Sequence, residues 1–158
     1  MGSEDWIKRI FDEKKAQSDA ADLEVAVESD RRKKFEAQAD DFRNQLAAMF
    51  SKAVDDYNGH VSSNSQRIQY TVPTQMVFEA FKNQDPSGHL SIELNKDTEQ
   101  LICEYQYSGT ETAHTDSRIL KIVTVDNNLN LKLYGRAIPE GDEAQVILFD
   151  FFRKVCSL

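Results

Sequence analysis

The stretch from Leu90 to Tyr107, LSIELNKDTEQLICEYQY, decides the fold. Leu90, Ile92 and Leu94 alternate with Ser91, Glu93 and Asn95, and Leu101, Cys103, Tyr105 and Tyr107 alternate with Ile102, Glu104 and Gln106. Successive side chains of a strand point to opposite sides, so each segment carries one apolar and one polar face. The polar run Lys96 to Gln100 joins the two as a hairpin. One buried and one solvated face is the mark of an antiparallel sheet.

Reading outward, Arg67 to Val72 alternates and stops at Pro73, which predicts a half-buried strand. Met76, Val77, Ala80 and Phe81 share a helical face and favour a short helix within 74–84, although Met76, Phe78 and Ala80 also alternate as a strand would. Asp85-Pro86-Ser87-Gly88 is a turn signal. Downstream, a polar connection from Ser108 to Ser117 precedes a second hairpin, Ile119 to Val125 paired with Leu129, Leu131 and Leu133 across Asp126-Asn127-Asn128. Asp142 is then placed to cap a last helix carrying Ile147, Leu148, Phe151, Phe152 and Val155 on one side.

The N-terminal third has a different period. Residues 1–58 lack proline and are rich in Ala, Glu, Lys, Gln and Arg, so they are predicted helical. Ser3 offers an N-cap, and Trp6, Ile7, Ile10 and Phe11 follow at helical spacing. From Asp12 to Asp30 apolar residues thin out, and solvated helix, a break near Ser18-Asp19 and a loose linker all fit. Phe35, Ala39, Phe42, Leu46, Met49 and Ala53 then form a stripe, ended by Asn58-Gly59. The stripe is wide and short, which suits packing on a sheet better than a coiled coil. The expected architecture is α+β: a charged helical arm over residues 1–30 and a single domain over 31–158, with an antiparallel sheet of about five strands in hairpins and a C-terminal helix packed on it.

Composition narrows function without naming it. A formal net charge of -8 repels phosphate backbones and anionic lipid surfaces, so neither nucleic acid nor membrane is expected as a partner. No apolar run approaches a membrane span, and Cys103 and Cys156 read as reduced thiols, which gives a cytoplasmic expectation.

Sites that suggest chemistry each fail a physical requirement. His114, Asp116 and Ser117 are the residue types of a nucleophilic triad, but near neighbours in a chain do not converge as a triad must. Asp126, Asn128 and Asn130 match the start of a calcium loop, yet Leu131 replaces the required glycine and Ala137 the closing glutamate. No His or Cys pair has metal-ligand spacing, and there is no phosphate-cradling loop, so no catalytic residue, metal or cofactor is assigned. Arg31-Arg32-Lys33-Lys34 points round a whole helix and sits among Glu28, Asp30 and Glu36, as on a solvated helix with i,i+4 pairs.

The residues left without an intramolecular role are Trp6, Ile7, Ile10 and Phe11. They either fold back on the core or bind a partner. The reading leans against an enzyme and toward a protein-interaction module acting as a homodimer, its partner itself or another protein. A small acidic protein with helices flanking an antiparallel sheet resembles secretion chaperones in general style, by architecture and not by motif, which implies holding an unfolded segment of a partner. The alternative is a small-molecule-binding fold or minor enzyme, with an apolar pocket lined by Phe81, Tyr105 and Tyr107.

Overall fold

The structure is a computed structural model that describes residues 4–108 and 113–156. The chain divides into two compact units, Met1–Ala37 and Gln38–Leu158. Helix α1 is Glu4–Gly59, so the stretch from Asp12 to Asp30 is helix, without a break at Ser18-Asp19. Ser3 lies outside the described residues.

In the first unit the helix is solvated on all sides from Asp5 to Asp30. Arg31 is paired with Glu28 at 2.6 Å, Arg32 with Glu36 at 3.2 Å and Lys34 with Asp30 at 3.3 Å. The basic run is thus laced into acidic neighbours one turn away, as solvated helices are.

The second unit is built on a seven-stranded meander whose strands are neighbours in sequence order, all antiparallel. They are β1 (Gln69–Thr71), β2 (Phe78–Lys82), β3 (Ser87–Asn95), β4 (Gln100–Ser108), β5 (Ala113–Val125), β6 (Asn128–Leu133) and β7 (Arg136–Ala137). Helix α2 (Glu143–Val155) closes the chain. The count is seven rather than about five because 78–82 is strand and because β7, two residues long, is too short for alternation to register; β1 is the strand expected over 67–72, shortened to three residues. The helix favoured within 74–84 does not form: Phe78, Ala80 and Lys82 are buried while Glu79 and Phe81 are half-exposed. A slot between two hydrogen-bonding neighbours outweighs local helical spacing. The connection expected from Ser108 to Ser117 is also shorter, since β5 takes in His114 to Ser117.

Register places complete rows on each face. Phe78, Ile92, Cys103 and Arg118 align across four strands, as do Ala80, Leu90, Tyr105 and Asp116 and the row Lys82, Gly88, Tyr107, His114. Toward the middle strands these rows are covered by α2, whose Phe151 ring lies 6.1 Å from that of Tyr107. The α1 stripe covers the β2 side: Phe50 meets Phe78 with ring centroids 5.7 Å apart, and Tyr57 meets Phe152 of α2 at 4.8 Å. Ala39, Phe42, Leu46, Phe50 and Val54 are buried.

Two devices seat α2. Gly88 leaves room, since a Cβ there would lie 2.7 Å from Val155 Cγ1 and 3.0 Å from Phe151. Tyr105 Oη donates to the Ile147 carbonyl at 2.7 Å, and Arg118 donates to the Val146 carbonyl at 2.9 Å while pairing with Asp150. Asp142 stands at the N-cap, but its side chain makes no capping bond; Glu143 instead accepts the Gly141 N–H at 2.8 Å.

Gly88→Ala should therefore destabilise the protein by about 1–3 kcal/mol through overpacking. Phe151→Ala should cost about 3–5 kcal/mol through the cavity it leaves. Urea unfolding of each variant measures both.

Candidate functional site

The buried side of the sheet carries several ionisable groups, and burial governs them. The Lys82 side chain is only 2% exposed, with Nζ donating to the carbonyls of Val155 at 2.6 Å and Pro86 at 3.1 Å. The first of these closes the last turn of α2, where an ammonium suits the negative end of the helix dipole. Burial nevertheless pulls the Lys82 pKa below its ordinary value. The same desolvation pushes the Cys103 thiol up to about 12 and the Tyr107 hydroxyl up to about 12, and raises Tyr105 as well. A thiol held neutral in this way is inert, so Cys103 acts as a small apolar residue.

Three surface regions have shape. The first is a groove of about 500 Å³ between α1, the β5–β6 turn and the chain entering α2. Phe42, Leu46, Met49 and Leu129 contribute apolar walls, and Asp41, Asp126, Glu140 and Glu143 contribute carboxyl groups. Among the described residues no three His, Cys, Asp or Glu side chains converge as metal ligands. Asp126 and Asn127 are the two residues of a tight hairpin turn, with φ of 51° and 64°, which accounts for the acidic and amide residues there.

The second region lies on the open face of the sheet, where Glu79 Oε1 and His89 Nε2 are 2.7 Å apart. Phe81 is on this side, beside His89 and Gln106. Tyr105 and Tyr107 are on the other side, under α2. The three aromatic residues expected to line one apolar pocket are therefore not brought together. Register is the reason: Phe81 is an odd step from Ala80, which aligns with Leu90 and Tyr105. His114, Asp116 and Ser117 form no triad either. They lie on one strand, where Ser117 faces the opposite side from His114 and Asp116, and the His114 ring stacks on Tyr107 at 6.2 Å.

The third region is the first turns of α1. Trp6, Ile7, Ile10 and Phe11 are 56%, 40%, 46% and 70% exposed, and Leu23, Val25 and Val27 are exposed as well. Sequence reasoning singled out the first four. It missed Lys82 and Arg118, the two cations that tie α2 to the sheet. Lys82 was detectable as the last member of the alternation Phe78, Ala80, Lys82.

Fold and surface together define an α+β protein with a one-faced antiparallel meander under helices and large apolar side chains exposed on its N-terminal helix. Comparison with protein families, with curated proteins and with solved structures finds no match to this chain. No described helix is long and apolar enough to cross a membrane.

The raised pKa values set an alkaline limit to stability. A buried thiol or phenol kept neutral in the fold contributes stability that is full below its ordinary pKa and is lost as pH rises through its raised one. For Cys103 that window runs from 9.0 to about 12. The depressed Lys82 acts with the opposite sign, but several raised groups outweigh one. The melting midpoint should fall above about pH 9, and Cys103→Ala should reduce the slope of stability against pH there by about one bound proton. Denaturant melts at a series of alkaline pH values measure it.

Proposed function

We propose that the protein is a non-enzymatic interaction module, chaperone-like and cytoplasmic, that works as a homodimer and holds an unfolded apolar segment of another protein on its N-terminal helix. The observation that carries this reading is the exposure of Trp6 and Phe11, a tryptophan and a phenylalanine more than half open to solvent on one short stretch of helix. Aromatic side chains left in water without an intramolecular role are typical of binding surfaces, where they supply large contact area at little cost in side-chain entropy. Lys8, Arg9, Lys14 and Lys15 are balanced there by Glu4, Asp5, Asp12 and Glu13, so the stretch carries no net charge and suits a segment held by apolar contact.

The helix-covered face supports the non-enzymatic part of the reading. Tyr105 and Tyr107, the aromatics that a ligand pocket under α2 would use, are packed against the helix itself. Cys103 is buried and Cys156 is exposed, both as free thiols, in keeping with a reducing compartment.

Light scattering from a thermally unfolding reporter enzyme provides the test. The protein should suppress aggregation at near-equimolar ratio, and Trp6→Asp with Phe11→Asp should lose most of that suppression without changing the melting of the sheet domain. Equal suppression by the double variant would refute the assignment of this patch.

A further inference from the structure

The strand pairing leaves one long edge open. Strand β5 pairs with β4 from Ala113 to Lys121, but with β6 only from Lys121 to Val125. Beyond Leu133 the chain turns through Tyr134 and Gly135, at φ of 52° and 77°, and returns as β7 on the far side of β6. Among the described residues, no strand pairs with the outer edge of β5 from Ala113 to Leu120.

The direction of the free backbone groups follows from the bonds that are made. The N–H and C=O of one strand residue point to the same side, and the side alternates along the chain. Ile122 N donates to Glu99 O on the β4 side at 2.9 Å. Even-numbered residues of β5 therefore bond toward β4, and Thr115, Ser117 and Ile119 present theirs to the open edge. Ser117 N–H accordingly has a local acceptor, the Asp116 Oδ1 at 2.9 Å. An edge of this length that no strand covers is a template for another strand.

We infer that a second copy of this chain occupies the edge, with β5 pairing antiparallel to the partner's β5 about a two-fold axis at Ser117, so that two meanders join into one continuous sheet. This rests on the homodimer reading above and supplies its interface. Charge selects both the occupant and the register. With Ser117 facing its symmetry mate, Asp116 of each copy stands opposite Arg118 of the other, twice over. Sliding by two residues one way sets Asp116 against Asp116, and the other way Arg118 against Arg118, which like-charge repulsion disfavours. A slide of one residue would set outward amide groups against inward ones. In the favoured register Thr115, Ser117 and Ile119 exchange about six hydrogen bonds with the partner.

The neighbouring helix fits the same axis. Arg118 reaches Val146 and Asp150, so this face of α2 borders the open edge. Phe149 is on that face and is 55% exposed, next to Gln145 and Val146. On the open side of the sheet Ile119, also 55% exposed, would stand opposite the partner's Thr115. Joining the edges thus brings a partner surface to a backbone edge and to two apolar side chains that a single chain leaves in water. An isologous contact of this kind closes on itself as a dimer and covers the long open edge of β5.

The test combines mass and cross-linking on the full chain. Light scattering after size exclusion at about 100 µM should give twice the 18.0 kDa of one chain. Ser117→Pro removes an outward N–H that no strand of its own sheet uses, and Asp116→Lys sets like charges opposite each other. Both should be monomers, with the circular dichroism spectrum of the wild type. In a Cys156→Ser background, Ser117→Cys should form a disulfide-linked dimer on mild oxidation, because facing residues at this position are about 5.5 Å apart between Cα atoms. Thr115→Cys should not, since its symmetry mate lies about 13 Å further along the strand.

Absence of the Ser117→Cys cross-link, or a dimer that survives both edge variants and is lost only when residues 4–30 are deleted, would overturn the edge pairing and leave the interaction reading standing. A monomeric wild type would also overturn it, with aggregation suppression then deciding the interaction reading by itself.

Discussion

A seven-stranded antiparallel meander can be stable in water only if one of its faces is dry, and the contact between α2 and the middle strands supplies that dryness here. Phe151 on Tyr107, Val155 over Gly88 and the Tyr105 hydroxyl on the Ile147 carbonyl are the parts of that contact. Each full burial of a large apolar side chain is worth about 1.5–3 kcal/mol, so a handful of such contacts is comparable to the whole net stability of a domain. The α1 stripe extends the cover from β3 and β4 toward β2 through Phe50 and Phe78. The other face, with the rows Glu79, Ser91, Glu104, Ser117 and Phe81, His89, Gln106, Thr115, is polar in these rows apart from Phe81, and its composition follows from the pleat.

That constraint also explains the two cations under α2, Lys82 buried and Arg118 half-buried. Lys82 and Arg118 both sit on the covered face, where an unpaired charge would be costly. Lys82 escapes part of the cost by binding the carbonyl end of α2, and Arg118 by a carboxylate and a carbonyl on the same helix. Each cation orients α2 as well as satisfying itself, so the helix is held at both ends of its contact by polar bonds and in the middle by rings. Cys103, between them, is left as a neutral thiol with no chemistry to perform.

Much of this was legible in residue order where the period was strong. The alternation at Leu90 to Tyr107 and at Leu129 to Leu133, the stripe from Ala39 to Val54 and the face of α2 all appear as read, because local pattern and tertiary burial agree there. Phe78 to Lys82 was misread because its apolar residues satisfy both periods, and only the β1 and β3 neighbours decide between them. His114 to Ser117 looked like a loop because both faces of that part of β5 are polar, one lying beside Tyr107 and the other in solvent. The surfaces were harder still. The apolar patch at Trp6 to Phe11 was visible from spacing, whereas the open edge of β5 depends on where β6 stops, a matter of turn position that no single segment records.

If the cover of α2 over β3 and β4 is what holds the unit from Gln38 onward together, these elements must open as one. Native-state hydrogen exchange resolved by residue measures this directly. Amides of β3, β4 and Ile147 to Val155 should be the slowest in the molecule and share one opening free energy equal to that of global unfolding. Helix α2 exchanging orders of magnitude faster than β3 and β4 would show that the sheet persists without its cover and would contradict the account.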